Sequence, residues 1–116
     1  MVQIGSTQKT YAMVIGIVLL LIGVIGLFTD TIIWFGVNLL QSILHIIGGG
    51  LGVWLATKNR PKGFNMWLGW IAVVVALLGW IAPGFMATLL NINAATTWLH
   101  ALIAVVSLIV AYGTKE

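Results

Sequence analysis

Four stretches of this chain contain no charged residue: Thr10 to Thr29, Asn38 to Thr57, Phe64 to Pro83 and Asn93 to Gly113. Each is about 20 residues long, which as a helix rising about 1.5 Å per residue matches a hydrocarbon core of about 30 Å. Inside lipid no water is available to satisfy backbone N–H and C=O groups. Only helices and closed barrels satisfy their own. The four runs therefore predict an all-α integral membrane four-helix bundle, a single transmembrane domain over residues 1–116 with spans at 10–29, 38–57, 64–83 and 93–113. Composition leads the same way. Charged residues make up 6% of the chain, against about 25% in a soluble domain, so the lipid bilayer is the expected surrounding medium.

The first run, Tyr11 to Phe28 behind Lys9, is long for a signal-peptide core, and no small-x-small cleavage site follows it. It reads as a retained span. Phe28-Thr-Asp-Thr31, Lys58-Asn-Arg-Pro-Lys-Gly63 and Pro83-Gly84 punctuate the runs, and the 84–92 segment reads as loop. Short connections make sequential helices antiparallel neighbours. With four spans, Lys9, the 58–63 loop and Lys115 share one side, and the 30–37 and 84–92 connections on the other side carry no Lys or Arg. The positive-inside bias puts that basic side, with both termini, in the cytoplasm, as a multi-pass protein of the inner (cytoplasmic) membrane. Basic residues scattered over chain ends and one loop do not form the face that nucleic acid requires, so no nucleic-acid partner is expected. Tyr11, Trp54, Trp67 and Tyr112 fall near one boundary and Trp34, Trp80 and Trp98 near the other, as interfacial anchors do. Stacking of Trp98 on a cofactor is the alternative to anchoring.

Two segments repeat. Asn38-Leu-Leu-Gln-Ser-Ile-Leu-His45 opens the second span and Asn93-Ala-Ala-Thr-Thr-Trp-Leu-His100 opens the fourth, at an offset of 55 residues. Gly16–Gly26 matches Ala72–Ala82 loosely. The pattern reads as two tandem helical hairpins, residues 1–60 and 61–116, forming a parallel repeat about an axis along the membrane normal. His45 and His100 then lie at equal depth, with the second and fourth helices either diagonal or side by side. On the second helix Asn38, Gln41, His45, Gly49 and Gly52 share a face. On the fourth, Asn93, Thr96, His100, Ala104, Ser107 and Ala111 do so. Unpaired polar groups are costly in hydrocarbon, so both stripes are expected inside the bundle. Asn38 and Asn93 suit helix N-caps. Gly16, Gly23 and Gly26, with Gly69 and Gly79, form small-residue stripes that let helices approach closely where apolar burial supplies no drive. A glycine-lined permeation path is the alternative.

The histidines admit three readings. They make structural hydrogen bonds between helices, or they ligate a haem, another tetrapyrrole or a metal as paired imidazoles, or they relay protons. No third ligand accompanies them, which argues against zinc. No Asp or Glu lies within a span, so a proton-coupled small transporter lacks its usual carboxylate. Neither Ser42 nor Ser107 has the acid partner of a catalytic triad. No metal site and no enzyme activity are expected. Cysteine is absent, which removes disulfide and thiolate chemistry. Asp30 reads as a solvated turn residue.

Gly36-Val-Asn38, His45-Ile-Ile-Gly-Gly49-Gly-Leu-Gly52 and Asn93-Ala-Ala-Thr-Thr-Trp-Leu-His100 together resemble a family of small bacterial four-helix membrane proteins catalogued only as a domain of unknown function. The resemblance covers nearly the whole chain. The family pattern reads V-N-x-x-H-N-x-x-H-L-x-x-G-x-x-G in the first half and N-A-A-D-N-x-L-H in the second. Gln41, Ser42, Thr96 and Thr97 stand where it has His, Asn, Asp and Asn, which puts any metal or proton site built on those groups in doubt here. The resemblance implies a membrane fold and no established activity. The leading functional expectation is a structural or accessory subunit that packs as a homo-oligomer or within a larger membrane complex.

Overall fold

The computed structural model describes residues 4–114. Lys115, one of the charges that set the expected orientation, lies outside the described residues. Four long helices run back and forth: α1 (Ile4–Gly26), α2 (Leu39–Thr57), α3 (Pro61–Ile81) and α5 (Ala94–Gly113). All four are long and apolar enough to cross a membrane. A short helix, α4 (Pro83–Leu90), and a two-stranded hairpin, β1 (Thr31–Ile32) and β2 (Phe35–Gly36), occupy the two connections at one end. That end is called distal here. The chain ends and the α2–α3 loop form the terminal end.

The 84–92 segment is thus not the irregular loop that its Pro-Gly start suggests. Pro83 is the first residue of α4 rather than the last of α3. Proline has no N–H to lose there and its fixed φ suits a helix start. Pro61 opens α3 in the same way, three residues before the charge-free run begins. The helix α4 ends at Asn91, whose φ of 55° is left-handed, a conformation that asparagine tolerates better than most residues. The β1–β2 tip is Ile33-Trp34, and Ile33 has φ 58°. A β-branched side chain in that region is strained by about 1–3 kcal/mol, so the flanking contacts must over-determine it.

The helices pack as two hairpins. α1 lies along α2 and α3 along α5, while contact between hairpins is sparser and runs mainly through α1–α3, α2–α3 and α1–α5. α2 and α5 therefore sit on the outer diagonal. The α1–α2 seam is the tightest. A Cβ on Gly16 would come 2.9 Å from the Gly49 carbonyl oxygen, and one on Gly49 would come 2.5 Å from that of Gly16. Only residues without side chains allow two backbones this close. In lipid such dispersion contact replaces the hydrophobic drive. Gly23 and Gly26 continue the seam against Ile46 and Ser42. In the second hairpin Gly69 packs on Leu108 and Gly79 on Thr97. Gly52 faces the ring of Phe64, where the two hairpins meet beside the buried Ala12 and Ala56. Both small-residue stripes thus face inward.

Candidate functional site

The polar stripes converge at the distal end. Asn38 caps α2 by accepting from the Gln41 N–H at 2.9 Å, and Asn93 caps α5 by accepting from Thr96 N–H at 2.9 Å. Each asparagine keeps a side-chain NH₂ to place, and each places it in the other half of the molecule. Asn38 Nδ2 donates to the Leu89 carbonyl at 2.9 Å, and Asn93 Nδ2 donates to the Trp34 carbonyl at 2.9 Å. Trp34 and Leu89 stand at the same 55-residue offset as Asn38 and Asn93. The two bonds are reciprocal, each half clasping the other's connection.

Further bonds fill the space between. Gln41 is buried and donates Nε2 to the Leu90 carbonyl at 2.7 Å and to the Gly36 carbonyl at 3.2 Å. Its counterpart Thr96, also buried, donates Oγ1 to the Asn93 side-chain oxygen at 2.8 Å, with a longer 3.5 Å approach to Gly36 O. Asn91 donates to the Val37 carbonyl at 2.7 Å and to that of Asp30 at 3.0 Å. Gly36 and Asn91, again offset by 55, meet each other: a Cβ on Gly36 would run into the Asn91 carbonyl oxygen. Buried polar groups need partners, and here Gln41 finds one in each half, while Thr96 bonds within its own half and approaches Gly36 in the other.

One to two turns deeper lie the histidines, both partly buried. They stand on α2 and α5, the two helices of the outer diagonal. Their local bonding differs. His100 Nδ1 lies 2.8 Å from the Thr96 carbonyl. That bond requires the proton on Nδ1 and leaves Nε2 with a lone pair. His45 Nδ1 is buried with no partner among the described residues, and so is the nearby Ser42 Oγ. No group of three or more His, Cys, Asp or Glu able to hold a metal ion occurs among the described residues. Trp98 packs edge-on against Trp80, with ring centroids 5.2 Å apart.

A second polar cluster, which no motif or stripe in the sequence marks, lies at the terminal end. Gln8 is fully buried and donates to the Thr114 and Ala111 carbonyls at 3.1 and 3.3 Å. Asn65, equally buried, donates to the Gln8 carbonyl at 3.1 Å. Tyr11 OH and Ser107 Oγ are 2.6 Å apart, joining α1 to α5. Lys9 Nζ donates to Asn59 Oδ1 at 3.2 Å, which places Lys9 beside the α2–α3 loop. The available signal was simple: in a chain this apolar, every amide near a span must be given a partner.

A protein-family model described as "Domain of unknown function (DUF4383)" matches residues 9–113. The chain belongs to this family. The match spans both hairpins and the whole distal cluster. No curated protein and no solved structure matched the chain. Membership and four membrane-spanning helices agree on a multi-pass membrane protein in contact with lipid.

Proposed function

We propose that this protein is a non-enzymatic structural or accessory subunit, which packs with itself or with other membrane proteins in the cytoplasmic membrane, its termini on the cytoplasmic side. The reciprocal Asn38–Leu89 and Asn93–Trp34 bonds carry this reading. The distal polar side chains spend their donors on joining the two halves, so few remain for a substrate. The outer wall of the bundle is a broad apolar surface, with Leu21, Ile71, Leu102 and Ile109 each more than half exposed. The orientation rests on Lys9, Lys58, Arg60 and Lys62 lying at the terminal end. Extraction into native lipid discs, followed by mass determination, tests the reading. A defined homo-oligomer or a stoichiometric partner supports it. A monomer without neighbours contradicts it.

The unpartnered His45 Nδ1 favours one second reading, a tetrapyrrole- or metal-binding protein with His45 and His100 as ligands. Ligand histidines commonly donate their other ring N–H to a backbone carbonyl, as His100 does toward Thr96. Purified protein with a Soret band that His45→Ala or His100→Ala abolishes supports this reading. A colourless preparation free of metal removes it.

A further inference from the structure

The two connections at the distal end, residues 27–37 and 82–92, contain a single charged residue, Asp30. Their large apolar side chains are nonetheless open to the surroundings: Phe28 is 84% exposed, Trp34 74%, Ile33 71% and Phe85 58%. The connection at the terminal end shows what this chain does in water. There Thr57, Lys58, Asn59 and Arg60 are the exposed residues.

The distal backbone is equally unlike a loop in water. The carbonyls of Trp34, Gly36, Leu89 and Leu90 each accept a hydrogen bond from Asn38, Gln41 or Asn93 at the helix starts, and those of Asp30 and Val37 from Asn91 of the opposite connection. Water would satisfy those oxygens at a loop surface with no such help. Where water is scarce, irregular backbone survives only if the protein itself supplies the partners. Depth agrees. The Trp34 carbonyl is bonded to the N-cap of α5, level with the start of that span. The buried face of α4, Met86 and Leu90 with the adjoining Ile92, packs on Val75 and Leu78. Those residues lie inside α3, before its end at Ile81, so α4 lies beside the span rather than beyond it.

We propose that the β1–β2 tip and α4 form a collar embedded at the headgroup–acyl boundary of the distal leaflet. Its occupant is phospholipid, and its surface continues the lipid-facing wall of the four spans. Ile33, Trp34 and Phe85 enter the acyl edge, as amphipathic and aromatic groups do at such boundaries. Asp30, at the other end of the hairpin, reaches the headgroups. The distal polar cluster thereby gains a second role. It holds the two halves together and also makes their connections fit for lipid. The collar does not depend on the subunit reading: a monomer would carry it as readily as an oligomer.

The chain has no cysteine, so single cysteines can carry spin labels without background. Ile33→Cys, Phe85→Cys and Lys58→Cys are labelled and reconstituted in phosphatidylcholine–phosphatidylglycerol vesicles. Collision rates with oxygen and with a water-soluble nickel chelate are then measured. Should a label at 33 prevent insertion, Trp34→Cys reports on the same tip. The collar gives an oxygen-to-nickel ratio several-fold higher at the tip and at 85 than at 58. Nickel access at the tip or at 85 matching that at 58 overturns the proposal by placing that connection in water. Shielding from both reagents overturns it too, since a protein surface then covers the site.

Discussion

The two ends of the bundle solve the same problem differently. At the terminal end the α2–α3 loop joins the halves covalently, and the polar contacts there are lopsided. Gln8 and Tyr11 reach from α1 to α5, and Asn65 reaches back from α3. At the distal end no covalent link joins the halves. There the contacts are reciprocal, Asn38 to Leu89 and Asn93 to Trp34, with Gly36 against Asn91. Where the chain itself links the two hairpins, the polar contacts between them need not be reciprocal. Where only hydrogen bonds and packing link them, each hairpin binds the connection of the other.

Substitutions at the two ends put this contrast at risk, with reversible unfolding in bicelles as the readout. Gly36→Val should have the largest effect, about 3 kcal/mol, because a side chain there meets backbone and the two connections must separate. Gln41→Leu should cost about 2 kcal/mol by stranding the Leu90 and Gly36 carbonyls away from water. Asn38→Ala and Asn93→Ala should each cost about 1 kcal/mol through a lost cap and a lost cross-half bond. Their equality is the sharper expectation, since each loses the same cap and a cross-half bond of the same 2.9 Å length. A difference of more than about 1 kcal/mol between them would show that the reciprocity is one of geometry and not of energy. Tyr11→Phe at the terminal end should cost least, about 0.6 kcal/mol, the mean for interhelical hydrogen bonds in membranes.

Much of this was legible in the sequence because lipid is a simple solvent. A run of about 20 uncharged residues has one stable form there. Helical periodicity groups Gln41, Gly49 and Gly52 on one face of α2 and Thr96, Ala104, Ser107 and Ala111 on one face of α5, all buried, and the caps at Asn38 and Asn93 follow from local chemistry, although Asn93 itself stays exposed. The rest depended on contacts that no periodicity encodes. The cap reading assigns the oxygen of each asparagine and says nothing of its NH₂, which is what crosses to the other half. α4 is eight residues long, too short for a period to emerge, and its Pro-Gly start resembles a terminator. The β1–β2 turn lacks the Asn-Gly or Asp-Gly signature and puts Ile33 in a conformation that its side chain disfavours. Gln8 lay outside a span expected to start at Thr10, whereas α1 begins at Ile4. The difference between His45 and His100 was equally invisible, since both close the same Asn-x₆-His segment.

Hydrogen bonds from Asn38, Gln41 and Asn93 hold the distal ends of the two hairpins together. Spin labels on Phe28→Cys and Phe85→Cys, one on each distal connection, measure it directly by double electron–electron resonance in lipid discs. Thr7→Cys with Gly113→Cys serves as the terminal-end reference. With the clamp intact, both pairs should give one narrow distance distribution. Adding Asn38→Ala, Gln41→Leu and Asn93→Ala should broaden and lengthen the distal distribution while the terminal one stays narrow. A distal distribution unmoved by the triple change would contradict the clamp.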